Sequence, residues 1–179
     1  MQPLLPDSNV PDLSFDLVSG KRWELSEQKP EHFTLIVFYR GLHCPKCLEQ
    51  LEKLNAQIAN FEKAGVNVVA VSMDDYDRAE KTVDGWDLKD LSLGYGLSES
   101  TIRKWGLFLS LKMERDEEKL QEPQIFSEPG IFLVRPDGLL YSSSIQTMPF
   151  ARPHFEDILN AIQFITANNY PARGTLQYS

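Results

Sequence analysis

Long apolar runs are missing from this chain: no segment approaches the ~18 apolar residues that a membrane-spanning helix needs. Cysteine is scarce, with two in 179 residues, which excludes a disulfide scaffold. Positive charge is in deficit: 18 Lys and Arg stand against 26 Asp and Glu, a formal net charge of -8. Such a surface repels nucleic acid and anionic lipid, so neither nucleic acid nor membrane is read as a partner. The N-terminus, Met1-Gln2-Pro3-Leu4-Leu5-Pro6, has no basic region and no apolar stretch of signal length. The expected location is therefore cytoplasmic.

Several chemistries are excluded in the same way. The two glycines of Ser92–Ser98 (SLGYGLS) lack the order of a phosphate loop. Ser142-Ser143-Ser144 lacks the strained elbow of a serine nucleophile. Zinc takes four ligands; beyond the two cysteines His43 is a third at best, since His32 and His154 have no ligand spacing. Leu48, not a histidine, follows Cys47, which rules out a c-type haem site. No metal and no bound cofactor is expected.

What is present reads as α/β. Phe15–Val18 and Trp23–Leu25 suggest a hairpin around Gly20. Phe33–Tyr39 and Val66–Met73 are β-branched and apolar on both faces, the pattern of buried central strands. Between them Leu48, Leu51, Leu54, Ile58 and Phe61 form one apolar stripe, which predicts a single helix over residues 45–64 closed by Gly65. Strand, helix and strand in that order imply a parallel pair. Further helices are predicted over 75–86, 98–107 and 153–167, a short strand over 91–93, and a hairpin of 131–134 with 139–143 around Pro136-Asp137-Gly138. Residues 112–127 read as an exposed, charged loop or a short solvated helix. The sheet is mixed, with parallel strands in the middle and antiparallel ones at an edge.

Both cysteines fall in Cys44-Pro45-Lys46-Cys47, at the end of a central strand and the start of a helix. Cys44 takes the N-cap position, because Pro45 suits the first helical residue. Free backbone N–H groups and the helix dipole favour an anion there, so Cys44 is the predicted thiolate nucleophile. Lys46 and Arg40 add positive charge nearby. Cys47, one turn on, can resolve a mixed disulfide formed on the more exposed Cys44. A structural thiol pair and half of a metal site are the competing readings. His43 either titrates beside Cys44 or is a surface residue without a role. Arg152-Pro153-His154 reads as a cap and turn or as a catalytic group.

The stretches FYRGLHCPKC (38–47), EPGIFLVRPDG (128–138), MPFARPHFEDIL (148–159) and NYPARG (169–174) resemble the thioredoxin fold, and within it the peroxiredoxins of the AhpC/TSA type that carry C-x-x-C. The resemblance implies a three-layer sandwich, with a mixed central sheet and helices on both faces, forming one domain over residues 1–179. It implies a cis bond at Glu128–Pro129, with that loop facing the dithiol and offering backbone hydrogen bonds to an extended substrate. Glu128 would then set a carboxylate against the thiolate.

The implied function is antioxidant or redox-homeostatic. Peroxiredoxins use P-x-x-x-T-x-x-C and a distant arginine. Here Cys47 takes the cysteine position, Arg40 that of the proline and Cys44 that of the threonine, while the arginine's place falls at Glu128–Pro129. Those changes remove groups that would hold a peroxide, and favour thiol–disulfide oxidoreduction by Cys44 and Cys47. Peroxide reduction is the first alternative, and an inactive binding module the second. The implied partners are a disulfide-containing protein or small molecule, or a hydroperoxide. A thioredoxin or glutathione system would supply dithiol reduction, and relatives of this type commonly form a homodimer.

Overall fold

The computed structural model describes residues 3–114 and 121–177. Its main sheet has seven strands in the order β2-β1-β5-β4-β3-β8-β9. Strands β3 (Phe33–Phe38) and β4 (Val66–Val71) lie side by side and parallel at its centre, with β5 (Leu93–Tyr95) parallel to β4. Antiparallel strands flank this core on both sides, not at one edge. β1 (Ser14–Leu17) and β2 (Arg22–Glu24) lie beyond β5, and β8 (Gly130–Val134) and β9 (Leu140–Ile145) lie beyond β3.

Every residue of β3 is buried, as its two-faced apolar sequence requires. Leu35 and Val37 enter a core with Leu51, Leu54, Phe61, Phe155 and Ile162, under α1 (Pro45–Asn55), α2 (Ile58–Lys63) and α5 (Phe155–Asn168). Ile36 and Phe38, pointing the other way, meet Trp105, Phe132, Phe15 and Trp23. Ile102 of α4 (Glu99–Lys104) joins that second layer. The result is a three-layer sandwich with helices on both faces. Leu51 and Leu54 are fully buried, and each such side chain contributes about 1.5–3 kcal/mol by leaving water.

Two elements differ from the sequence expectation. The helix predicted over 45–64 is broken at Ala56–Gln57 into α1 and α2. The last residue of α1, Asn55, uses its side-chain oxygen to accept from the N–H groups of Asp90 and Leu91, and Gln57 N–H turns back to Leu54 in a tight i to i−3 bond. The apolar stripe continues across the break, so periodicity alone does not reveal it. In the segment predicted as loop or short helix, residues 125–127 form β7 (Ile125–Ser127), paired with β6 (Leu109–Leu111) in a separate two-stranded sheet. The charged run at 115–120 lies outside the described residues. Helix α3 (Tyr76–Gly85) starts where predicted, with Asp75 capping the N–H of Arg78. Among the described residues no helix is long and apolar enough to cross a membrane.

Candidate active site: a buried dithiol under an arginine

The chain leaves β3 at Phe38 and reaches α1 through Tyr39-Arg40-Gly41-Leu42-His43. Gly41 makes this passage possible. Its φ is +132°, and a Cβ there would lie 2.8 Å from both carboxylate oxygens of Asp74. Asp74 is buried, accepts the N–H of Leu42 at 2.7 Å and is held in turn by Arg78 at 2.8 Å. The end of β4 thereby fixes the turn that presents the thiols.

Cys44 caps α1 with sulfur where serine or aspartate would use oxygen: its Sγ accepts the N–H of Cys47 at 3.2 Å. Pro45 occupies the first helical turn, where no N–H is needed. The Cys44 thiol is lowered to about 6. The largest cause is the hydrogen bond from the Cys47 thiol; the backbone N–H of Cys47, then the charges of Arg152 and Arg40, act in the same direction against the cost of burial. Cys47 moves the opposite way. Burial pushes its thiol up, and the neighbouring Cys44 keeps its proton on. The pair therefore shares one proton, with the anion on Cys44. Both thiols are reduced.

Neither thiol is open to solvent: Cys44 is 1% exposed and Cys47 0%. The expectation of an exposed attacking thiol is corrected, because the loop before α5 closes over the site. Arg152 there points its Nη2 at Cys47 Sγ (3.5 Å) and Cys44 Sγ (3.8 Å). Its Nη1 donates to Gln50 on α1 at 2.7 Å, and its Nε to the carbonyl of Pro149 at 2.6 Å. A guanidinium fixed on three sides cannot drift from the sulfurs. An arginine thus stands over the dithiol, although its expected place in the sequence holds Glu128. The Arg152-Pro153-His154 segment was the available signal, but nothing local in it points to cysteines more than a hundred positions away. His154 is the N-cap residue of α5 and makes no side-chain cap bond.

The second arm of the site comes from β7 and β8. The Glu128–Pro129 bond is trans, as no peptide bond among the described residues is cis, which corrects the expectation. The loop's backbone is also already engaged. Glu128 N–H donates to Phe108, the Glu128 carbonyl accepts from Ser127 Oγ, and the Pro129 carbonyl accepts from Gln146. At these positions no backbone N–H is left for strand addition by an extended substrate: that of Glu128 is taken and Pro129 has none.

Glu128 does not stand unopposed against the thiolate either. One oxygen lies 3.2 Å from Arg40 Nε, and the other accepts Ser110 Oγ at 2.6 Å. Arg40 in turn lies over the Phe126 ring, 4.7 Å from its centre, a cation–π contact. His43 is buried, not at the surface, and meets the same ring edge-on at 4.6 Å. Lys46 points its ammonium to Glu49 (2.7 Å), on the outer face of α1. Arg40 acts on Cys44 and ties Glu128 to it, His43 shares the Phe126 ring with Arg40, Lys46 turns outward, and Arg152 with Gln50 completes the surroundings of the thiols.

The same thioredoxin-like fold recurs in solved peroxiredoxins. The structure of peroxidoxin BcpB from Mycobacterium tuberculosis superposes with a TM-score of 0.72 at 14% identity, covering 90% of this chain and 98% of that one. AhpC from Enterococcus faecalis gives 0.72 at 18% identity, over 93% and 97%. A reduced peroxiredoxin from Vibrio vulnificus, solved in complex with hydrogen peroxide, gives 0.70 at 14% identity, over 89% and 99%. No curated protein matches significantly in sequence. The sequence model of the AhpC/TSA family matches residues 6–143, and the chain belongs to that family.

Proposed function

We propose that this protein is a thiol–disulfide oxidoreductase that cycles between the Cys44/Cys47 dithiol and their disulfide. One observation carries the reading: a lowered thiol at the N-cap of α1 hydrogen-bonded to a raised thiol three residues on. The Cys44 thiolate attacks one sulfur of a substrate disulfide, breaking the S–S bond, expelling one half as a thiolate and leaving the other half bonded to Cys44. Cys44 then carries no charge, so the anion that held the proton on Cys47 is gone. Cys47 loses that proton and attacks Cys44 Sγ, which closes the intramolecular disulfide and releases the second half. Two electrons pass from the dithiol to the substrate. Burial of both sulfurs and the occupied Glu128–Pro129 backbone favour small substrates over large protein disulfides.

A hydroperoxide as the oxidant is the second reading, and Arg152 specifically favours it. A fixed guanidinium beside the thiolate can stabilise charge that develops as an O–O bond breaks. Cys44 would take the distal oxygen as a sulfenic acid and release the alcohol; Cys47 would condense with it, losing water. Mixing the reduced protein with hydrogen peroxide or with a small disulfide, and following thiol loss, separates the two. Faster, saturating consumption by the disulfide supports the first reading, and faster consumption by peroxide replaces it with the second. If wild type and Cys44→Ser alike leave both the disulfide and the peroxide intact, both readings fall and a binding module remains.

A further inference from the structure

Arg152 stands before both sulfurs, 3.5 Å from Cys47 Sγ and 3.8 Å from Cys44 Sγ. Its other partners are neutral: the Gln50 side chain at 2.7 Å and the Pro149 carbonyl at 2.6 Å. The one negative charge of the dithiol therefore balances this guanidinium. Arg40, the other cation acting on Cys44, is balanced separately by Glu128 at 3.2 Å. The chain around Arg152 lies at the surface: Thr147, Met148, Phe150 and Ala151 are exposed, while Cys44 and Cys47 are buried beneath. A substrate sulfur that comes to Cys44 from this side takes the place of the guanidinium.

Attack carries the balancing charge away. The Cys44 thiolate becomes a neutral mixed disulfide, and the negative charge departs on the leaving thiolate. Arg152 is then a half-buried cation beside neutral acceptors, and stranding a charge in that way is costly. A carboxylate on the substrate half that stays bonded to Cys44 restores the balance. It must sit within about two or three carbons of the substrate sulfur to reach a guanidinium that starts 3.8 Å from Cys44 Sγ. Arginine suits the task, because its planar fork takes a carboxylate through two parallel hydrogen bonds. The molecule as a whole works the other way, since a net charge of -8 repels anions. A preference for an anionic substrate therefore has to come from a local cation.

We propose that Arg152 determines the specificity of the dithiol and selects small disulfides that carry a carboxylate close to the sulfur. The inference rests on the dithiol–disulfide cycle above and names the chemical class of its substrate. The Cys44 thiolate bonds to one substrate sulfur, the substrate S–S bond breaks, and one carboxylate-bearing half leaves as a thiolate that takes a proton from solvent. Arg152 turns from the sulfurs to the carboxylate of the half that remains. Cys47 then loses its proton to solvent, bonds to Cys44 Sγ and expels the second half. The dithiol gives up two electrons, and one substrate disulfide becomes two carboxylate-bearing thiols.

The test oxidises reduced full-length protein with three aliphatic disulfides that differ in charge: 3,3′-dithiodipropionate, neutral 2-hydroxyethyl disulfide and cationic cystamine. Protein thiol loss is followed by alkylation and mass measurement. Each rate is divided by that of the same disulfide with dithiothreitol, which removes differences in leaving group. The expected normalised rate for dithiodipropionate is at least about tenfold that for hydroxyethyl disulfide, with cystamine slowest. Arg152→Met should bring the carboxylate-to-hydroxyl ratio to within about twofold of one, and Arg152→Lys should keep it above about threefold. Lys63→Glu, exposed on α2, should leave the ratio unchanged. A wild-type ratio near or below one overturns the selection, whether or not the Arg152 variants fold, and consumption of hydroxyethyl disulfide then keeps the dithiol cycle. A high ratio that survives Arg152→Met, or that falls as far in Lys63→Glu, also overturns it. If none of the three disulfides oxidises the thiols, the cycle falls and the selection with it.

Discussion

Two arginines act on the dithiol, and they are held differently. Arg40 comes from the turn after β3 and is matched: Glu128 lies 3.2 Å away and Phe126 lies beneath it. Arg152 comes from the loop before α5 and is held by neutral groups, the Pro149 carbonyl and the Gln50 side chain. Its charge is left for the sulfurs. Both cations lower the Cys44 thiol, with Arg152 the stronger. A charge already neutralised in a buried pair acts mainly on the fold, whereas a charge held by neutral hydrogen bonds acts on its remaining neighbour.

The most severe test of this comparison removes what both arginines face. Cys44→Ser is expected to lower turnover with any oxidant about a thousandfold or more, measured by thiol loss and product release. If activity survives, Cys47 is the nucleophile and the contrast between the arms is misplaced. Next in size is the stability of the matched arm. Arg40→Met leaves Glu128 buried with Ser110 alone and should cost about 3 kcal/mol in urea unfolding, since breaking a buried pair strands a charge. Arg152→Met should cost at most about 1 kcal/mol, the scale of its ordinary hydrogen bonds. Equal losses in the two variants would erase the distinction.

The ordering reverses in the thiol titration. The Cys44 anion, followed by its ultraviolet absorbance, should appear in wild type with a midpoint of about 6. Losing a cation destabilises the anion and raises the midpoint. Arg152→Met should shift it up by about one unit, so that below pH 6 the thiolate fraction falls about tenfold. Arg40→Met should shift it the same way by less than half as much. The linkage has a definite sign. Because the Cys44 value lies below the ~8.5 of a free thiol, its ionisation contributes stability fully present above about 8.5 and lost as pH falls through about 6. The smallest effect belongs to Lys46→Ala. Its ammonium is exposed and engaged by Glu49, so the Cys44 midpoint should move by less than about 0.2 units. A shift as large as that of Arg152→Met would return Lys46 to the site.

The central strands were legible because each is apolar on both faces, a pattern that local sequence carries in full. The same holds for α3, whose Asp75 cap is three residues from its partner. The break between α1 and α2 was not legible, since its cause is an Asn55 side chain bound to backbone 35 and 36 positions away. β7 was missed for a related reason: three residues become a strand only when β6 lies alongside. At the site, Cys44, Pro45 and Cys47 could be read from spacing alone. The roles given to Glu128 and Lys46 could not, because each depends on a partner that neutralises it.

By itself the sequence determined the junction: an apolar strand, Gly41, then Cys44 at the cap and Cys47 one turn on. These are properties of neighbouring residues and of helix geometry. Tertiary structure alone decided what surrounds the sulfurs. It placed Arg152 over them from 105 residues beyond Cys47, matched Glu128 with Arg40, and buried both thiols. The reason is the range of the forces involved. Caps and turns act within a few residues of chain, while charge and burial act through space and depend on where the fold brings distant segments together.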